Sequence, residues 1–230
     1  MRTIRMLGLA VVAMLAFGAI LAAAASAETT LTALWLAGGN AIAAELAITL
    51  SGGVIAEDTK APIVGVAAVL CSITFSGSIK VGGAGEIERL FNLSVESISS
   101  TPLTGLALAC EAVEGCEAAT MASPIEVWPK NLPWATLLFL TESGEFLYLI
   151  EKMGFESLCL ILGINVEDSC ESADSMFAVD NESGAQIPAG VVALPLSNCT
   201  LGGAATGSIQ TDELIPFKLT ESGELTVSSE

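Results

Sequence analysis

The stretch TLTALWLAGGNAIAAELAITLSGGVIAED, residues 30–58, sets short apolar runs between Gly38-Gly39-Asn40 and Ser51-Gly52-Gly53. Short apolar runs separated by glycine and small polar residues read as β-strands joined by turns, so both glycine clusters are expected to reverse the chain. The same punctuation continues downstream. Residues 62–81, PIVGVAAVLCSITFSGSIKV, read as one long strand or a bent pair, and VGGAG (81–85) turns the chain into EIERLFNLSVESIS. Glu86 to Phe91 could instead form a helical turn, and Phe146 to Met153 a short helix, because periodicity does not assign short apolar runs. Between them, IEVWPKNLPWATLLFL places Pro129 and Pro133 beside Trp128 and Trp134. There the prolines are expected to interrupt pairing and the tryptophans to pin a loop against the core. The fold class that follows is all-β with room for one short helix: a disulfide-stapled sandwich or barrel of about 10–12 short strands.

The N-terminus has Arg2 and Arg5 before an unbroken apolar run and a small-residue site at Ala25-Ser26-Ala27. That is the layout of a secretory signal, with cleavage expected between Ala27 and Glu28; retention as a membrane anchor is the alternative. Residues 28–230 then form one expected β-rich domain. With both arginines gone, only Lys60, Lys80, Arg89, Lys130, Lys152 and Lys218 oppose 26 acidic residues, and the whole chain carries a net charge of −18. Such a field argues against nucleic acid and anionic membranes as partners, while leaving a cell-envelope or extracellular partner open.

All six cysteines (Cys71, Cys110, Cys116, Cys159, Cys170, Cys199) lie beyond the signal, and an exported chain uses an even number as disulfides. Hairpin arithmetic expects Cys159–Cys170 about a turn at Ile164-Asn165 and Cys110–Cys116 across Ala112 to Glu114. Cys71–Cys199 follows by elimination. Structural zinc is disfavoured, because the chain has no histidine and no close cysteine pairs.

The missing histidine also removes the usual Ser-His-Asp and Cys-His nucleophile systems. Two-carboxylate glycan hydrolysis would remain, with Glu142 and Glu145, Glu167 and Asp168, or Glu221 and Glu224 as candidate pairs. Calcium is a weaker expectation, from the oxygen donors Glu167, Asp168, Glu171, Asp174, Asp180 and Glu182. VGGAG and LGGAATG lack the spacing of phosphate loops. Asn92, Asn181 and Asn198 begin N-glycosylation sequons.

LTESGE occurs at 140–145 and 219–224, and a third ESG starts at Glu182. Both LTESGE copies are expected to close a β-hairpin with Gly144 or Gly223 in the left-handed region, and Gly184 is expected to be a turn glycine. Cys159 and Cys199 stand at one interval after Glu142 and Glu182, and Phe177 and Phe217 at another. This suggests a repeat of roughly 40 residues after residue 140.

The run IEVWPKNLPWATLLFLTESGEF, with CLILGINVEDSC and NCTLGGAATG, resembles uncharacterised exported proteins of high-GC Gram-positive soil bacteria. The resemblance implies secretion and a cysteine-containing β architecture, and it implies no activity or site residues. The expected role is therefore a non-catalytic structural, adhesive or interaction protein of the envelope or exterior, with no catalytic residues, cofactor or metal. The alternatives are a carboxylate-based glycan hydrolase and a calcium-dependent or carbohydrate-binding module.

Overall fold

Among the described residues, sixteen strands in chain order build the fold. They are β1 (Ala33–Ala37), β2 (Asn40–Ala41), β3 (Leu46–Ala61), β4 (Gly65–Ile79), β5 (Ala84–Asn92), β6 (Leu108–Glu114), β7 (Ile125–Lys130) and β8 (Trp134–Leu140), followed by β9 (Phe146–Glu151), β10 (Gly154–Ile161), β11 (Ile164–Glu171), β12 (Asp174–Val179), β13 (Gln186–Ile187), β14 (Gly207–Thr211), β15 (Ile215–Leu219) and β16 (Leu225–Ser229). The computed structural model describes residues 33–61, 65–92, 108–117, 125–172, 174–191, 199, 207–220 and 223–229. The protein is all-β, and Glu86 to Phe91 and Phe146 to Glu151, the two segments open to a helical reading, are strands. The signal segment and its cleavage site lie outside the described residues.

The long β3–β4 hairpin organises everything else. Its two strands pair antiparallel from Leu46↔Ile79 to Asp58↔Ala67. Their far sides change partners halfway along. β3 pairs with β15 over Ile48–Leu50 and with β14 over Val54–Asp58. β4 pairs with β6 over Ala68–Cys71 and with β5 over Ile73–Ile79. One end of the hairpin therefore enters a ring ordered β13-β15-β3-β4-β5-β8-β9-β12. Reciprocal Asp180–Gln186 backbone bonds of 2.9 and 3.0 Å bring β12 back beside β13 and all but close it. The other end enters a curved arm ordered β14-β3-β4-β6-β7-β10-β11. A sheet that swaps neighbours along its strands must bend, as at the corners of orthogonal packings.

The bend corrects the first reading of residues 30–58. Gly38 and Gly39 do turn the chain, between β1 and β2, but Ser51-Gly52-Gly53 runs straight through the middle of β3. The reason is space. A Cβ on Gly52 would lie 2.7 Å from Ile215 Cγ1, and one on Gly53 3.2 Å from Asp212 Cβ. The glycines let the connection between β14 and β15 press onto β3 at the corner, a use of strand glycine distinct from turning.

The ring interior is filled by alternate residues. β8 shows the pattern cleanly, with Trp134, Thr136 and Leu138 inward and Ala135 and Leu137 outward. Trp134 packs 5.4 Å from Phe155, centroid to centroid, while Trp35, from the separate β16-β1-β2 sheet, lies tilted 5.0 Å from Phe217 and edge-on 6.0 Å from Tyr148. Trp134 also donates from Nε1 to the Lys130 carbonyl (2.5 Å), bracing the connection that contains the cis Leu132–Pro133 bond. Pro129 does not break the pairing as expected: it lies within β7 opposite Phe155. These aromatic side chains join a largely aliphatic buried core whose removal from water drives folding.

The expected cysteine pairing is overturned. The bridges are Cys71–Cys110, Cys116–Cys159 and Cys170–Cys199. The β10–β11 turn lies at Leu162-Gly163, with φ of 49° and 80°, tighter and earlier than Ile164-Asn165. Cys159 is thereby set opposite Val166, and Cys170 opposite Phe155. Cys110 and Cys116 fail to meet because β6 runs extended through Ala112 to Glu114. Cys110 instead sits directly across from Cys71.

The three ESG sites also divide. Thr141 to Glu145 close the β8–β9 hairpin, with the Gly144 amide donating to the Thr141 carbonyl and Gly144 at φ 85°. Gly184, at φ 89°, lies in the β12–β13 loop. The second LTESGE, at 219–224, is not a hairpin tip: it leads from β15 to β16, which belong to different sheets. Gly223 there has φ 157°, and Glu221 and Ser222 lie outside the described residues.

Candidate functional site

Where a strand runs straight, alternate side chains share a face, so the concave side of the curved arm can be read directly from register. β10 sends Phe155, Ser157, Cys159 and Ile161 to it; β11 sends Val166, Asp168 and Cys170. Opposite them stand Ala67 and Val69 of β4 and the end of β3 at Ala56, Glu57 and Asp58. The cleft they line encloses about 50 Å³ of water-accessible space, several times the ~10–15 Å³ that one water needs. Its walls are mostly aliphatic, and its polar side chains are Ser157, Asp58 and Asp168; Glu57 borders it, but as the strand neighbour of Ala56 and Asp58 it points to the opposite face. Asp58 is only 4 % exposed, whereas Glu57 and Asp168 are half-buried. Two of the disulfides place a sulfur in its wall, at Cys159 and Cys170.

The candidate carboxylates scatter. Glu142 and Glu145 sit exposed on the β8–β9 turn, where Ser143 donates to Glu145 Oε2 at 3.1 Å. Glu167 and Asp168 are neighbours on one strand and therefore point to opposite faces; only Asp168 reaches the cleft. Glu224 is exposed. Of the six oxygen donors considered for calcium, Glu171 is engaged by Lys130 at 2.9 Å and Asp180 accepts the Glu182 amide at 3.2 Å. Among the described residues, the one group of three acidic or cysteine ligand atoms within an ion's span is Asp168, Cys170 and Cys199. Cys170 and Cys199 are bonded to each other at 2.04 Å, so neither offers a thiolate. Asp168 Oδ2 stands 3.7 Å from Cys170 Sγ, a contact rather than a hydrogen bond because a disulfide sulfur carries no proton.

The groups whose ionisation the fold shifts lie away from the candidate pairs. Hydrogen bonding from Lys130, and then its charge, hold the Glu171 carboxyl below its ordinary value of 4.5. Lys80 is raised, first by its hydrogen bond to Glu86 (3.1 Å) and then by the charge of Glu45 at 3.9 Å. Tyr148 is fully enclosed, and burial pushes its hydroxyl far up, with Thr136 opposing the rise. Neither the Tyr148 hydroxyl nor Thr136 Oγ1 reaches hydrogen-bonding geometry. The sequon at Asn181 is spent structurally. Its Nδ2 donates to the Val227 carbonyl at 2.7 Å and its Oδ1 accepts from the Val227 amide at 2.9 Å, fastening the β12–β13 loop to β16.

Sequence reasoning found Asp168 but missed Glu57, Asp58 and Ser157. Nothing in their spacing sets them apart from other acids and serines at strand ends, because the cleft arises from the bend in β3 and β4. No protein-family model, curated protein or solved structure matches the chain.

Proposed function

We propose that this is an exported, non-catalytic structural or interaction protein of the cell envelope or exterior. The observation that carries the reading is where the protein places its rigidity. Three disulfides brace the arm, across β4–β6, from Cys116 beyond β6 to β10, and from β11 to Cys199, and such bridges persist in oxidising compartments. The ring is filled with packed aromatic side chains, and the carboxylates of the described candidate pairs stand apart or exposed. Enzymes on a β scaffold concentrate shifted ionisable groups in a cleft; here Lys80 and Glu171 serve surface ion pairs and Tyr148 is sealed in the core.

The test is secretion of the full chain from a bacterial host, followed by N-terminal sequencing, envelope fractionation and a reducing-sugar assay on a panel of glycans. The reading expects a mature N-terminus at Glu28, saturable retention by the envelope fraction or free release into the medium, and no turnover. Glycan cleavage abolished by Asp168→Asn would replace it with the hydrolase reading. Accumulation of an uncleaved chain in the cytoplasm would end it.

A further inference from the structure

We propose that the Cys170–Cys199 bridge is a modification site: a small aliphatic thiol enters the cleft of the curved arm, attacks Cys170 Sγ and caps it as a mixed disulfide. The inference goes beyond the structural role above and stands on how differently the three bridges are placed. Exposure separates them first. Cys71 and Cys110 are 4 % and 2 % exposed, Cys116 and Cys159 3 % and 6 %, and Cys199 3 %. Cys170 alone of the six is half-buried. Thiol–disulfide exchange depends on which sulfur a thiolate can reach, so Cys170 is the sulfur open to attack and Cys199 the one that leaves.

Strand position separates them next. Cys71 is paired with Val54 as well as with Cys110, and Cys110 with Ile125, so both are held from two sides. Cys159 has Val166 on one side, and on the other Glu117, next to Cys116, exchanges two 2.9 Å backbone bonds with Leu160. β11 ends the strand order of the arm, with β10 as its one partner among the described strands. Local opening costs least where backbone pairing is one-sided, so Cys170 is the half-cystine that can shift to admit a thiolate in line with its S–S bond.

The cleft supplies the approach. Cys170 stands opposite Phe155, on the face that Ser157 and Cys159 share, so its side chain opens to the concave side. About 50 Å³ of water-accessible space lies there, between the aliphatic side chains of Ala67, Val69 and Val166. A sulfhydryl on a short carbon stem suits such a space, and a thiol carried on a folded protein does not. In the step itself, the thiolate sulfur bonds to Cys170 Sγ as the Cys170–Cys199 bond breaks. The electron pair leaves on Cys199 Sγ, which takes a proton from water. One disulfide replaces another, so the step consumes no oxidant or reductant. Attack of the Cys199 thiolate on the capped Cys170 Sγ expels the thiol and restores the bridge, which makes the cap reversible.

The test treats the oxidised full-length secreted protein with 2-mercaptoethanol at neutral pH, quenches with N-ethylmaleimide at intervals and maps the products by peptide mass spectrometry. Early samples should carry mercaptoethanol on Cys170 and maleimide on Cys199, with the other two bridges opening at least about tenfold more slowly. In urea below the unfolding transition the Cys170 rate should stay nearly flat, whereas the other two, which need the structure to open, should climb. Ser157→Leu, which adds bulk diagonal to Cys170 on the same face, should slow capping about fivefold or more. Should that variant fail to form its disulfides, the urea series on the unmodified protein decides alone. First opening at either other bridge, all three opening at one rate, or mercaptoethanol found on Cys199 overturns the proposal. So does a Cys170 rate that climbs with urea as the others do, or a folded Ser157→Leu that caps at the wild-type rate. Opening by reduced thioredoxin with none by mercaptoethanol would overturn it too, in favour of a protein partner for the bridge.

Discussion

Removal of the Cys116–Cys159 bridge, as Cys116→Ala with Cys159→Ala, tests how the arm is held together. The bridge joins residues 43 apart in sequence. Cross-linking a loop of that length withdraws about 13 cal/mol/K of entropy from the unfolded chain, or about 4 kcal/mol at 25 °C. Against a typical domain stability of about 5–15 kcal/mol, that is a large fraction. At this chain length each kcal/mol moves Tm by about 2–4 °C, so the variant should melt about 8–16 °C lower. Urea unfolding followed by tryptophan fluorescence separates the mechanism from simple loss of packing. A chain released from its tether exposes more surface when unfolded, so the m-value should rise as the midpoint falls. The separations of 39 and 29 for Cys71–Cys110 and Cys170–Cys199 give about 3.9 and 3.6 kcal/mol on the same basis, so the three removals should be nearly equal. A loss under about 1 kcal/mol with an unchanged m-value would refute the tether argument. Losses that instead track burial of the half-sulfurs would locate the effect in the core.

Gly77→Ala should be severe, because its Cβ would fall on the Glu86 carbonyl oxygen at the bulge between β4 and β5; a cost of about 3 kcal/mol or failure to accumulate is expected on chemical denaturation. Gly144→Val places a branched side chain at φ 85° in open space, so strain alone should lower stability by about 1–2 kcal/mol, and an unchanged Tm would count against the turn assignment. Leu162→Asn relieves an exposed leucine held at φ 49° and should raise the urea midpoint by the equivalent of about 1 kcal/mol. For the Lys130–Glu171 pair, the folded carboxyl titrates below its unfolded value, so its contribution is present above pH 4.5 and is lost as pH falls through the depressed folded value. Carboxyl-carbon NMR should show the Glu171 midpoint return toward 4.5 in Lys130→Met, and an unmoved midpoint would show that the lysine is not the cause.

Much of the fold was legible locally. Turn chemistry marked the LTESGE hairpin at Thr141 to Glu145, and apolar content the long β4 segment, because each depends on residues within a few positions of one another. The strand count came out higher than expected, in part because β2 and β13 are two-residue pieces that leave almost no pattern. The misses share a cause. Ser51-Gly52-Gly53 has the composition of a turn, yet it is a strand corner, because what required glycine was the approach of Asp212 and Ile215, far away in sequence. The second LTESGE repeats the letters of the first but joins two different sheets, so its geometry depends on the partners of β15 and β16 and not on the hexapeptide.

For the candidate site the division is sharper. Sequence by itself determined the all-β character, the even set of cysteines, the acidic charge and the lack of histidine chemistry, since these follow from composition and short-range pattern. Which cysteine meets which, and that Asp58, Ser157 and Asp168 share a cleft, were decided by tertiary structure alone. A turn two residues earlier, at Leu162-Gly163, moves every partner on β10 and β11, and a strand pair that changes neighbours halfway must curve. Register and curvature are set by the sum of long-range packing, which no local run of residues encodes.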